Sequence, residues 1–94
     1  MQDPAVIEFN KKVGGRIKER RLYLGQSQTD VSKALNITFQ QVQKYEKGLN
    51  GCSARRIWEL GIHLNVPITY FFEPFSADVR IPQMLKSFET YDKS

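Results

Sequence analysis

Apolar positions recur along this chain at helical spacing, in short runs punctuated by residues that start or stop helices. Phe9, Val13 and Ile17 lie four apart and Leu24 follows seven later, one stripe on a helix that Asp3 caps and Pro4 opens. Gly14-Gly15 interrupts the stripe, as a close helix contact or as the start of its stable part, and Gly25 ends the segment. Ser27-Gln28-Thr29-Asp30 has the form of a capping box and opens a two-turn helix with Val31, Ala34 and Leu35 on its apolar face. Asn36 suits the left-handed stop of that helix. Thr38-Phe39-Gln40-Gln41 is a second capping box, Val42 and Tyr45 point inward, and Gly48 closes the third helix. Ser53 caps a fourth helix whose stripe is Ile57, Leu60, Gly61 and Leu64, ended by Asn65. A short fifth element, Ile68 to Phe72, is expected to stop at Pro74.

The pattern predicts an all-α chain of five short helices with tight turns. Residues 1–9 read as an N-terminal extension of the first helix, 10–74 as the domain, and 75–94 as linker and tail. Ser76-Ala77-Asp78 and Pro82 have linker character, and Met84, Leu85 and Phe88 then sit at helical spacing. That segment reads either as a frayed tail or as a docking segment for a partner subunit or another protein.

Ninety-four residues make one domain, and a single cysteine, Cys52, excludes an internal disulfide and any multi-cysteine metal site. No apolar run approaches the roughly 20 residues of a membrane span. Met1-Gln2-Asp3-Pro4 has neither the basic nor the apolar region of a secretory signal, so the expected setting is the cytoplasm. Charge then narrows the picture. The chain carries +4 overall, while residues 10–75 hold eleven Lys and Arg against five Asp and Glu, or +6. That concentration is compatible with a polyanionic partner.

Two short capped helices joined by Asn36-Ile37-Thr38 form a helix-turn-helix pattern, and a protruding second helix fits the DNA major groove. The outward positions of that helix, about residues 38–47, hold three glutamines and two lysines and no acid. Glutamine pairs bidentately with adenine, lysine favours guanine or phosphate, and an apolar ring such as Phe39 contacts a thymine methyl.

Three stretches resemble the Cro/cI-type (XRE) helix-turn-helix family. They are Leu24–Val31, Ala34–Thr38 and Val42–Gly48, and Leu64–Phe72 is similar to the family's fifth-helix segment. The resemblance implies a phage-repressor-like domain that binds DNA and regulates transcription, with no cofactor and no metal. It places Thr38, Phe39, Gln40, Gln43 and Lys44 at base edges and Ser27, Gln28, Gln41, Lys47 and Asn50 at phosphates. It makes Glu46 a buried acid paired with Arg21 on the first helix. Five short helices bury little DNA surface, so a homodimer on a pseudo-palindromic double-stranded operator is expected, joined through the fifth helix or the tail. Ser32 departs from the family's alanine and needs a partner for its hydroxyl, Asn36 replaces a turn glycine, and Gly51-Cys52 replaces a basic and an apolar residue.

Several residues have plainer readings. His63 is expected to be a partly buried structural residue, and Trp58 to lie in the core or at its rim. Glu19, Glu59 and Glu73 read as solvated faces, and Tyr70, Phe71 and Phe72 as core or as a dimer seam. Cys52 sits in a polar loop, where Arg55 and Arg56 would lower its pKa if it is accessible. The second functional reading is a protein-interaction module on the same fold, an antitoxin or a coactivator. Nothing groups a nucleophile, a base and an acid, so an enzyme is not expected.

Overall fold

The computed structural model describes residues 3–75. Helix α1 spans Pro4–Tyr23, α2 Gln28–Leu35, α3 Phe39–Lys47 and α4 Ala54–Leu64, followed by a 3₁₀ helix over Ile68–Phe75. No strand occurs among the described residues, and the fold is all-α. The expected tail helix with Met84, Leu85 and Phe88 lies outside the described residues.

Each α-helix begins on a side chain that accepts a backbone N–H. Asp3 takes Ala5 at 2.8 Å, Ser27 takes Asp30 at 3.0 Å, Thr38 takes Gln41 at 3.1 Å and Ser53 takes Arg56 at 3.1 Å. The Ser27 box is complete, because Asp30 also accepts the Ser27 N–H at 2.8 Å. At Thr38 only the forward half forms. The neutral Gln41 amide is a weaker acceptor than a carboxylate, and its side chain does not return to the cap.

The helix ends follow one rule. Gly25, Asn36, Gly48 and Asn65 all take positive φ, between 54° and 73°. The residue after each donates its N–H to the carbonyl five positions back: Gln26 to Arg21, Ile37 to Ser32, Leu49 to Lys44 and Val66 to Gly61. This 6→1 closure satisfies carbonyls that the helix leaves orphaned. Asparagine serves at two of the four positions because its short side chain tolerates the left-handed region. Within α2, Ser32 finds the partner its hydroxyl needs, the Thr29 carbonyl at 2.8 Å.

The core is built from Val13, Ile17, Val31, Leu35, Val42, Tyr45, Ile57, Leu60, Leu64 and Phe71. On α1 the buried stripe is Asn10, Val13, Gly14, Ile17 and Arg21. Three of these five are not hydrophobic, so the apolar pattern captured only part of the face. Phe9 and Leu24, expected on the stripe, are 43% and 37% exposed. Leu24 is the C-cap of α1, beyond Arg21, the last buried position of the stripe. Phe9 lies at the rim and stacks on Phe75, with ring centroids 4.8 Å apart. Trp58 is neither core nor covered rim: it is 59% exposed, because the stripe through Ile57, Leu60, Gly61 and Leu64 is too narrow to include it.

The fifth element also differs from expectation. It is a 3₁₀ helix that continues through Pro74, since the Phe75 ring is held on Phe9 beyond the missing donor. Within it Phe71 is fully buried, Tyr70 is half-buried and Phe72 is on the rim.

The backbones of α1 and α3 come close together at Gly14. A methyl group there would lie 2.1 Å from the Tyr45 carbonyl oxygen, whereas one on Gly15 would meet nothing within 4 Å. At Gly48 the same test puts a methyl 2.6 Å from the Lys11 backbone nitrogen. Gly14 is therefore a close helix contact, and the first helix runs unbroken through both glycines.

Neighbouring glycines should respond oppositely to alanine. Gly14→Ala is expected to lower stability by about 1–3 kcal/mol through overpacking. Gly15→Ala should raise it by roughly 0.5–1 kcal/mol through reduced chain entropy. Urea midpoints check both signs.

The Ser27 N–H and hydroxyl hold the Asp30 carboxyl below the usual carboxylate range. A carboxylate with a depressed folded-state pKa stabilises the fold above its unfolded value, near pH 4, and loses that contribution as pH falls. Melting temperatures of the native chain and Asp30→Asn should therefore differ at neutral pH and converge in acid.

Candidate nucleic-acid interface

A buried ion pair positions α3. The Arg21 guanidinium meets the Glu46 carboxylate with both prongs, Nε to Oε2 at 2.6 Å and Nη2 to Oε1 at 2.9 Å. The two side chains are 8% and 2% exposed. Two more bonds complete the network: Arg21 Nη1 donates to the Gln26 carbonyl at 2.9 Å, and Gln28 Nε2 donates to Glu46 Oε1 at 3.0 Å. One carboxylate thus joins α1, the start of α2 and the last turn of α3. Its partners satisfy the buried charge, which is the condition for tolerating it.

With Val42, Tyr45 and Glu46 turned inward, α3 presents the opposite face to solvent. Thr38, Phe39, Gln40, Lys44 and Lys47 are exposed there, Phe39 by 40%, while Gln41 and Gln43 are half-buried. Thr38 uses its oxygen as the cap acceptor, and its O–H remains a donor. Ser27 is exposed at the start of α2. Gln28 is half-buried beside it, and one of its two amide N–H groups goes to Glu46. The backbone N–H groups of Gln28 and Thr29 precede the first intrahelical acceptor, so the α2 end offers anion-binding donors. Asn50 is half-buried in the loop after α3, with its N–H on the Lys44 carbonyl at 3.4 Å.

The basic residues divide into two groups. Arg16 contacts Glu19 and Glu73 and lies 3.7 Å from the centre of the Tyr70 ring. Arg20 donates to the Leu64 carbonyl at 2.9 Å and to the Asn65 carbonyl at 3.3 Å, capping the C-terminal end of α4. Arg56 pairs with Glu59 at 3.0 Å. With Arg21, three of the eleven bases of residues 10–75 (Arg16, Arg20 and Arg21) tie separate elements together, whereas Arg56 pairs within α4. Glu19, Glu59 and Glu73 are accordingly partners of arginines and not merely solvated. The exposed bases include Lys11, Lys18, Lys33, Lys44 and Lys47. Lys11 lies against Gly48 at the end of α3, a juxtaposition across 37 residues that local spacing does not reveal.

Cys52 departs from expectation. It is half-buried against the core, and burial pushes its thiol up to about 12, with Arg56 pulling only partly the other way. The thiol stays protonated at neutral pH, which removes the basis for an activated loop cysteine. His63 is half-buried and bonded through Nε2 to Gln26 Oε1 at 2.7 Å, linking α4 to the turn before α2. Among the described residues no His, Cys, Asp and Glu group is arranged to hold a metal ion, and no helix is long and apolar enough to cross a membrane.

Comparison with known proteins agrees with this geometry. A helix-turn-helix family model matches residues 17–71, from the middle of α1 into the 3₁₀ helix. An uncharacterised HTH-type transcriptional regulator of Sinorhizobium medicae (strain WSM419) is 50% identical over 80 residues, covering 78% of this chain and 58% of its own. A counterpart in Rhizobium meliloti (strain 1021) has the same identity and coverage. An uncharacterised transcriptional regulator in the ATPase CF(0) region of Rhodospirillum rubrum is 43% identical over 60 residues, 64% of this chain and 56% of its own. The chain thus spans under two thirds of the length of these relatives. The family is one of DNA-binding transcriptional regulators and not a class of enzymes. The capped α2–turn–α3 unit, locked by Arg21 and Glu46, belongs to a member of the XRE-type helix-turn-helix family.

Proposed function

We propose that this chain is a cytoplasmic, sequence-specific regulator that binds a pseudo-palindromic double-stranded operator as a homodimer. The observation carrying this reading is the outward face of α3, polar and basic on a helix whose inner face is locked by a buried ion pair. Thr38, Phe39, Gln40, Gln43 and Lys44 read base edges in the major groove. Ser27, Gln28, Gln41, Lys47 and Asn50 hold phosphates, so that affinity and specificity come from different residues.

A second copy fits the apolar face left uncovered on α4. Trp58, Ile62 and Ile68 are 59%, 61% and 48% exposed, and with Pro67 they line one shallow depression. Two such faces related by a twofold axis bury one another, and the two recognition helices then meet half-sites about one helical turn apart. This face includes α4, whereas the sequence pointed only to the fifth helix or the tail.

Binding selections from a random-sequence duplex library test the reading. Gln40→Ala should relax preference at one position of each half-site by about 1–3 kcal/mol. Lys47→Ala should weaken all sequences alike and reduce the salt slope by about one. A folded native chain that enriches no motif would overturn the proposal.

Sedimentation tests the assembly. Ile62→Glu should leave the helical spectrum intact and shift a dimer to monomer. An unchanged mass would place the subunit contact elsewhere.

A further inference from the structure

The second and third turns of α1, the loop after α3, the start of α4 and the 3₁₀ helix line a cleft of about 230 Å³. Phe9, Val13, Ile57 and Phe72 supply apolar walls, and Cys52 adds a protonated thiol. One polar side chain interrupts this lining. Asn10 is nine-tenths buried, yet its carboxamide has no hydrogen-bond partner among the described residues. No sealed side-chain polar atom among the described residues lacks a partner, so the unbonded carboxamide keeps some solvent access, and Asn10 lines the cleft. Gly51 keeps the oxygen edge clear: a methyl group there would stand 3.1 Å from Asn10 Oδ1.

A carboxamide buried to this extent ordinarily has partners for both its N–H and its C=O. The group that satisfies both together presents an acceptor and a donor side by side, as a primary amide or a lactam does. The volume lies below the roughly 300–1,000 Å³ of sites for drug-sized molecules. It suits one ring, or a short alkyl chain, beside that polar group. We propose that this cleft is a binding site for a small apolar amide or lactam, paired edge to edge with Asn10. Tyr45 and Asn50 also line the cleft, so an occupant would touch the last turn of α3 and the loop that leaves it.

The test is an amide-resolved NMR titration of the full chain, without DNA, using phenylacetamide. Saturable shifts centred on Asn10, Gly51, Cys52 and Phe72 are expected, with a dissociation constant on the order of 1 mM for so small a probe. Methyl phenylacetate has the same ring and carbonyl but no N–H donor, and should bind roughly five- to tenfold more weakly. Asn10→Leu should abolish that difference between the probes. The proposal is overturned if phenylacetamide fails to saturate, if both probes bind the native chain equally, or if the shifts centre on Trp58 and Ile62. The probe comparison uses the unmodified chain and so survives misfolding of the variant.

Discussion

The rest of the structure depends on the buried bond between Arg21 and Glu46. Val31, Leu35, Val42 and Tyr45 pack α2 and α3 into the core, but helices of eight and nine residues are marginal alone, and the pair adds a directional constraint that apolar packing lacks. The carboxylate draws a donor from α1 and another from the start of α2, which restricts how α3 can rotate about its own axis. A rotation large enough to change the outward face would strand a buried charge. Gly14 sets the distance between α1 and α3, and the ion pair sets the orientation. Together they decide which side chains of α3 face outward.

This arrangement explains why the basic character of the chain is only partly a surface property. Arg16, Arg20 and Arg21 reach inward or across the domain, where planar, forked guanidinium groups bind carboxylates and helix-end carbonyls, whereas Arg55 and Arg56 pair with Glu59 on their own helix. Lys44 and Lys47 stay exposed on α3 and Lys11 lies against its end, where a mobile point charge is suited to a phosphate. Net charge alone would have credited all eleven bases of residues 10–75 to a partner. Arg16, Arg20 and Arg21 are instead structural.

The architecture was legible wherever local chemistry determined it. Ser27, Thr38 and Ser53 mark helix starts because a short hydroxyl side chain reaches the N3 amide. Asn36, Gly48 and Asn65 mark stops because they accept positive φ. The stripe on α4 was legible in full because all four of its members are apolar or glycine. Legibility failed where a buried position is occupied by a polar residue or a property is set by distant contacts. Asn10 is invisible to an apolar periodicity, Trp58 looks like core by type alone, and Pro74 looks like a stop until Phe75 is seen against Phe9. For the interface, the polar outer face of α3 could be read from spacing, and the Arg21–Glu46 pair from family resemblance. The Gln28–Glu46 bond, the position of Lys11 and the raised pKa of Cys52 emerge only from the tertiary structure.

The central claim is that one buried pair, and not general packing, holds α3 in register. A double-mutant cycle on Arg21→Met and Glu46→Leu, read by urea unfolding, tests it directly. Each single change should cost about 3–5 kcal/mol because it leaves the other group buried without its partner. The double variant should recover much of that loss, giving a coupling of at least about 2 kcal/mol. Two additive single effects, with coupling under roughly 0.5 kcal/mol, would contradict the account.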